Sequence, residues 1–163
     1  MAVVKTVIDA IAAEYHRYKD LGDKAFAQVS NEALSEGPAD GNSMAMIVWH
    51  IAGNLRSRFT GFLTTDGEKP WRDRESEFDD RNVGRAQMIE KWEDGWQVLF
   101  ATLSALSDDD LERTIAIRQQ ELSVLQALLR SLAHTSYHVG QIVFLAKEFR
   151  GGEWKSLTIP RKK

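Results

Sequence analysis

The sequence predicts an all-α fold, a four-helix bundle whose helices are joined by long connections. Apolar residues recur at spacings of three and four along four separate segments, which is the periodicity of amphipathic helices. Residues that favour turns fill the intervals between these segments. At 163 residues the chain can bury the core of one domain, so we assign residues 1–163 to a single unit.

The first helix is predicted from Val4 to Val29, because the spacing of its apolar residues alternates between four and three. His16 lies off this apolar seam, so we expect it to be an ordinary exposed histidine. A turn-rich connector, residues 31–42, follows and ends at the cap of the next helix. The seam consists of Val4, Ile8, Ile11, Tyr15, Tyr18, Gly22, Ala25 and Val29.

A long connector separates the second helix, predicted from Ser43 to Thr65, from the third, predicted from Gln87 to Leu106. In the second helix His50 lies roughly 120° from the centre of the apolar side, which places it on a polar flank. The connector, residues 66–82, is rich in charge and longer than the usual bundle loop. Loops of this length usually have a function, such as binding a ligand or covering a site. The apolar side holds Met44, Ile47, Val48, Ile51, Leu55, Phe59 and Phe62.

The fourth helix is preceded by a candidate hairpin. Thr114–Ile117 is expected to pair with Leu122–Val124 around a turn at Gln119-Gln120. The helix then continues to about Phe149 and ends at the glycine pair Gly151-Gly152, which is a common C-terminal signal.

The centre of this fourth helix, Ser131 to Ala146, contains no Asp, Glu, Lys or Arg, although 28% of the chain is charged. An uncharged run of this length predicts a helix that is covered nearly all round. His134 and His138 lie four residues apart, so both imidazoles can reach one metal ion. Their side of the helix is predicted to form the wall of a cleft, and it also holds Ala127, Ser131, Gln141 and Leu145. The opposite side is the predicted core stripe, with Leu122, Leu125, Leu129, Leu132, Val139 and Val143.

Composition excludes several classes of function. The absence of cysteine removes disulfides, thiolate zinc sites, iron–sulfur clusters and a cysteine nucleophile. A net charge of -3, with the basic run Arg161-Lys162-Lys163 at the end of the chain, argues against a nucleic-acid partner. No window has the length and apolarity of a membrane span, and the N-terminus lacks a secretory signal. We therefore expect a soluble, cytoplasmic protein that takes a small-molecule substrate.

His50, His134 and His138 are predicted to form a three-histidine metal site. Three neutral imidazoles suit divalent transition metals and leave a coordination position for water or substrate, the pattern of catalytic zinc. The alternative is that the histidines are partly buried residues bonded to backbone or neighbours, because a four-residue spacing alone is a weak signal. Four residues are candidates to orient the ligands or to bind substrate, namely Asn54, Ser131, Tyr137 and Gln141. No residue is identified as the catalytic acid or base.

These residues resemble the DinB/YfiT-like superfamily, whose members carry a three-histidine site in a four-helix bundle. The resemblance lies in Ile47-Val48-Trp49-His50-Ile51 and in His134-Thr-Ser-Tyr-His138-Val-Gly-Gln. The stretches Thr64–Trp71 and Trp154–Arg161 are similar to one uncharacterised bacterial branch of that superfamily.

The resemblance implies a divalent metal on His50, His134 and His138, and a homodimer. Zinc or nickel is the expected ion, with iron or manganese as alternatives. Some relatives transfer low-molecular-weight thiols such as bacillithiol or mycothiol to electrophiles, and others are a maleylpyruvate isomerase and hydrolase-like proteins. The first hypothesis is therefore an enzyme that activates a thiol or water for attack on a small electrophile, with a thiol as a possible cosubstrate. The second is a non-catalytic dimeric module that binds metal or has a structural role.

Overall fold

A computed structural model describes residues 6–162, and the helical content of these residues confirms the all-α fold. Val4 of the predicted first helix and Lys163 of the basic run lie outside the described residues. No helix within residues 6–162 combines the length and apolarity that a membrane crossing requires. The helices in this part of the chain are α1 (Val7–Phe26), α2 (Asn31–Ser35), α3 (Met44–Phe59), α4 (Arg85–Ala105) and α5 (Val124–Arg150).

The four long helices pack in two main pairs, α3 against α4 and α1 against α5, and α3 also contacts α5. Buried aromatic rings connect the pairs. The Tyr15 ring lies edge-on to Trp96 at 6.2 Å between centroids, and Phe26 lies edge-on to Trp92 at 5.3 Å. The hydroxyl of Tyr15 donates to the carbonyl of Leu128 at 3.2 Å, so this buried polar group is satisfied. This arrangement places α5 between α1 and α3.

The predicted seam of α1 is confirmed for the residues that the helix contains, because all of them are buried except the half-buried Tyr18. Thr6 caps the helix by accepting a hydrogen bond from the Asp9 amide at 3.0 Å. The helix ends at Phe26, before the predicted Val29. His16 is exposed, as expected, and its ring stacks on Phe100 at 3.9 Å.

Helix α3 is shorter than the sequence predicts. Its start agrees, since the Ser43 hydroxyl accepts a hydrogen bond from the Met46 amide at 3.2 Å. Its end lies at Phe59 instead of Thr65, because Gly61 adopts a φ of +58°, outside the helical region. The hydroxyl of Thr65 donates to the Gly61 carbonyl at 3.0 Å and stabilises the resulting turn. The connector that follows is therefore free to fold back against α3.

The predicted hairpin is present, with β1 (Thr114–Ile117) antiparallel to β2 (Gln120–Ser123). Its turn lies one residue earlier than predicted, at Arg118 and Gln119, which have φ values of 53° and 64°. The carboxylate of Asp66 accepts hydrogen bonds from both of their amides, each at 2.8 Å. This contact from the connector stabilises a left-handed turn that contains no glycine.

Helix α5 begins at Val124, capped by Ser123, and ends at Arg150, just before Gly151 with a φ of 61°. The predicted core stripe is confirmed in part, because Val139 is buried and Leu122, Leu125, Leu132 and Val143 pack against the core. It is wrong at Leu129, which is 49% exposed, and it leaves out the buried Thr135 and Ile142. The buried face is rotated toward the histidine side, since α5 packs against both α1 and α3. The predicted coverage of the uncharged stretch is also wrong, as Tyr137 and Phe144 are 55% and 65% exposed.

The contact between α3 and α4 requires a glycine. A β-carbon at Gly95 would lie 2.7 Å from the α-carbon of Ala52, which is backbone and cannot move aside. We expect Gly95→Ala to destabilise the protein by about 1–3 kcal/mol, although alanine alone favours a helix. Urea denaturation measures this loss. Gln97→Ala, an exposed change on the same helix, is the control and should alter stability by less than about 0.5 kcal/mol. Equal stability of both variants would contradict the close contact.

Candidate metal centre

Three histidines from two helices converge at one end of a cleft. His50 lies on α3, and His134 and His138 lie one turn apart on α5. One ring nitrogen of each lies within 4.8 Å of the other two. The Nε2 atoms of His50 and His134 are 3.3 Å apart, and the His138 ring lies 4.7 Å from both other rings. The packing of α3 against α5 thus brings together the three histidines that the sequence singles out.

His50 is more enclosed than its position on a polar flank predicts, since only 4% of it is exposed. The connector between α3 and α4 folds over it, and a 3-10 turn, Glu75–Phe78, places Phe78 with its ring 4.9 Å from the imidazole. The apolar pattern of α3 could not show this, because the residues that cover the flank come from an irregular segment.

Glu77 in this turn fixes the orientation of His50. The Nδ1 atom of His50 donates to Glu77 Oε2 at 2.8 Å, and Arg72 donates to both carboxylate oxygens at 2.7 and 3.0 Å. Burial alone would raise the pKa of Glu77, but the bonds from His50 and Arg72 outweigh it and hold the pKa below its usual value. The ionised carboxylate keeps the proton of His50 on Nδ1. Its Nε2 lone pair therefore faces the other histidines.

Gly53 makes room for this carboxylate. It follows His50 by three residues on α3, and a β-carbon there would lie 2.8 Å from Glu77 Cδ. The glycine therefore allows the buried acid to approach the helix surface beside the imidazole. Sequence analysis missed Glu77, Arg72 and Gly53, and the signals that could have indicated them are the long charged connector and a glycine inside a helix.

His138 likewise has one ring nitrogen in a hydrogen bond and one without a partner among the described residues. Its Nδ1 bonds Gln141 Oε1 at 2.8 Å, while its buried Nε2 has no hydrogen-bond partner among residues 6–162. Burial lowers the pKa of His138, although the bond to Gln141 opposes the change. Burial and the neighbouring histidines lower the pKa of His134 to about 4. Both rings are thus neutral at pH 7. Together with the nearby ring nitrogen of His50, they give three ring nitrogens around one point, which fits a divalent cation.

The remaining predicted residues line the same cleft, which has a volume of about 320 Å³. Asn54 and Ser131 are buried, and the Ser131 hydroxyl oxygen has no hydrogen-bond partner among the described residues. Tyr137 is exposed, and its ring lies 4.2 Å from that of His138. Within residues 6–162 none of these three bonds a histidine, so of the four candidates only Gln141 contacts a ligand nitrogen.

Comparison with known proteins gives a family model that matches almost the whole chain. The model of the family described as "Protein of unknown function (DUF1572)" matches residues 2–163. Neither a search of curated proteins nor a search of solved structures gives a match.

The lowered pKa of His134 predicts how the stability of the metal-free protein varies with pH. In the unfolded chain the imidazole of His134 binds a proton near pH 6.5, whereas in the folded chain it does so only near pH 4. Protonation therefore favours unfolding, and stability should fall as the pH is lowered from 6.5 to 4. Urea denaturation across this range, after chelation, measures the effect. His134→Gln should weaken the pH dependence, and the same dependence in both proteins would contradict the pKa shift.

Proposed function

The chain belongs to the DUF1572 family, and we propose that it is a metal-dependent enzyme in which His50, His134 and His138 hold one divalent ion. The observation that carries this proposal is the convergence of three ring nitrogens within 4.8 Å, with the Nε2 of His138 buried and otherwise unpartnered. Three protein ligands leave a position for water or substrate. Zinc or nickel is the proposed ion, and iron or manganese are the alternatives.

The proposed reaction is transfer of a thiol to a small electrophile, or hydrolysis of one. A divalent ion that keeps its full charge on three neutral imidazoles lowers the pKa of a coordinated water or thiol toward neutrality. Glu77 and Gln141 hold the Nδ1 sides of His50 and His138, which keeps both Nε2 atoms pointed at the centre. The adjoining cleft of about 320 Å³ has room for a small substrate. A thiol is included as cosubstrate because the superfamily that the sequence resembles contains thiol transferases.

A transfer assay tests this reaction. Zinc- or nickel-reconstituted protein should couple bacillithiol, mycothiol or cysteine to 1-chloro-2,4-dinitrobenzene, followed by absorbance. Turnover should disappear after chelation and in His134→Ala, because both changes remove the ion. His16→Ala is the matched control, since this exposed histidine lies away from the cluster on α1. If metal is bound but no thiol or electrophile binds or reacts, the second hypothesis, a non-catalytic metal-binding or structural module, is favoured.

The bond between Glu77 and His50 should strengthen metal binding. Loss of such an outer partner typically weakens metal affinity about 10–100-fold, and we expect this range for Glu77→Gln. Competition with a chromogenic chelator measures the affinity. Glu75→Gln provides the control, because the side chain of Glu75 is 87% exposed and bonds Arg74 rather than a histidine. Equal affinities of the parent and Glu77→Gln would show that the carboxylate does not support the ligand.

We also propose that two copies of the chain associate through the exposed, uncharged face of α5. Its members are Leu129, Ala133, Tyr137, Gly140 and Phe144. A β-carbon at Gly140 would meet no atom of residues 6–162 within 4 Å, yet glycine inside a helix costs about 1 kcal/mol relative to alanine. Close approach of a second helix gives this glycine a role. A second copy fits better than a charged partner, because this face carries no charge to pair with one.

Introducing a charge on this face should separate the copies. Phe144→Glu would bury an unpaired carboxylate between them, so we expect the parent to have the mass of a dimer and this variant that of a monomer. Light scattering after gel filtration measures the mass. Lys147→Gln, an exposed change one turn further along α5, should remain dimeric. A monomeric parent, or a dimeric Phe144→Glu, would contradict the proposed interface.

A further inference from the structure

The wall of the cleft beside the three histidines is strongly basic. No carboxylate side chain is among the described residues that line it. The apolar part of the wall includes the rings of Phe59, Phe62 and Phe78. Five arginines complete it, namely Arg58, Arg72, Arg74, Arg118 and Arg130.

Two of these arginines, Arg58 and Arg118, are neutralised only in part. Arg72 is fully engaged by the buried carboxylate of Glu77. Arg58 and Arg118, however, share the single carboxylate of Glu68, at 3.2 and 2.9 Å. Two guanidinium groups that face one carboxylate leave a positive charge at this side of the cleft.

Arg130 adds a second uncompensated charge. Arg74 pairs with Glu75 at 3.0 Å, but Arg130 takes part in none of the ion pairs that residues 6–162 form. Among residues 6–162, the five guanidinium groups thus have three carboxylates as ion-pair partners, Glu68, Glu75 and Glu77, so the positive side chains outnumber these partners by two.

Arg130 and Arg118 are placed to act on a ligand at the histidines. Arg130 precedes His134 by four residues on α5, so the two side chains project from the same face about 6 Å apart along the axis. Arg118 reaches the cleft from the hairpin turn, and the bond from its amide to Asp66 holds that turn in place. Both guanidinium groups line the cleft that the three imidazoles line, so an anion bound to them would share that cleft with the histidines.

We propose that the substrate is a small organic oxyanion, a carboxylate or a phosphate, whose charged group binds Arg130 and Arg118 and whose apolar part packs against the phenylalanine rings. Planar guanidinium groups match both oxyanions by paired hydrogen bonds. The inference rests on the proposed function for the reacting centre and adds the charge class of its substrate. Because the arginines are distinct from the three histidines, anion binding can be tested without an ion in the site.

Calorimetric titration of the chelated, full-length protein with benzoate, phenyl phosphate and benzamide tests the proposal. Benzamide has nearly the shape of benzoate but no charge. We expect at least one of the two anions to bind about tenfold more tightly than benzamide, and Arg130→Gln to remove most of that preference. Which anion binds better identifies the class of oxyanion. Lys147→Gln removes an exposed positive charge roughly 25 Å further along the same helix and should change nothing.

Equal binding of benzamide and both anions, no binding of either anion, or an Arg130→Gln protein that matches the parent would overturn the inference. Circular dichroism establishes that Arg130→Gln is folded, which is expected because Arg130 is exposed. A protein that binds no metal but keeps the preference for anions would refute the metal-dependent function and leave this inference standing. A protein that binds metal but has no preference for anions would refute this inference alone.

Discussion

The arrangement of the candidate site depends on the hydrogen bonds that the buried carboxylate of Glu77 accepts from His50 and Arg72. This carboxylate connects the irregular segment between α3 and α4 to His50, and Arg72 of the same segment satisfies its oxygens. An ionised carboxylate that is only 5% exposed would be costly without such partners. With them, the segment is held over α3, the imidazole is fixed in one tautomer, and Arg72 and Arg74 are placed in the wall of the cleft.

The histidine cluster illustrates what the sequence can predict. His134 and His138 follow from helical spacing, and His50 was distinguished because it lay off the apolar side of its helix. Residues 66–82 contain seven carboxylates without any periodicity, so nothing in the sequence indicates that Glu77 is the one that reaches His50. Its selection depends on the course of the loop and on the space left by Gly53, which are properties of the folded chain.

Helix α5 shows why an uncharged sequence is not the same as a buried one. The leucine spacing placed the core on the side that includes Leu129, but contact with both α1 and α3 rotates the buried sector toward Thr135 and His138. One part of the uncharged stretch forms the wall of the cleft. Another part, around Tyr137 and Phe144, lies on the surface of the single chain. One structural reason for the absence of charge is therefore the cleft. The proposed pairing of copies would supply a second reason for the part around Tyr137 and Phe144.

The proposed function requires one ion on His50, His134 and His138. It is tested most directly by plasma mass spectrometry of the untagged protein after metal reconstitution, together with His50→Ala and His16→Ala. We expect about one equivalent per chain in the parent and in His16→Ala, and none in His50→Ala, because an ion with an open fourth position needs all three protein ligands. No metal in the parent, or an equal content in His50→Ala, would contradict it and leave the three histidines as buried polar residues of the bundle.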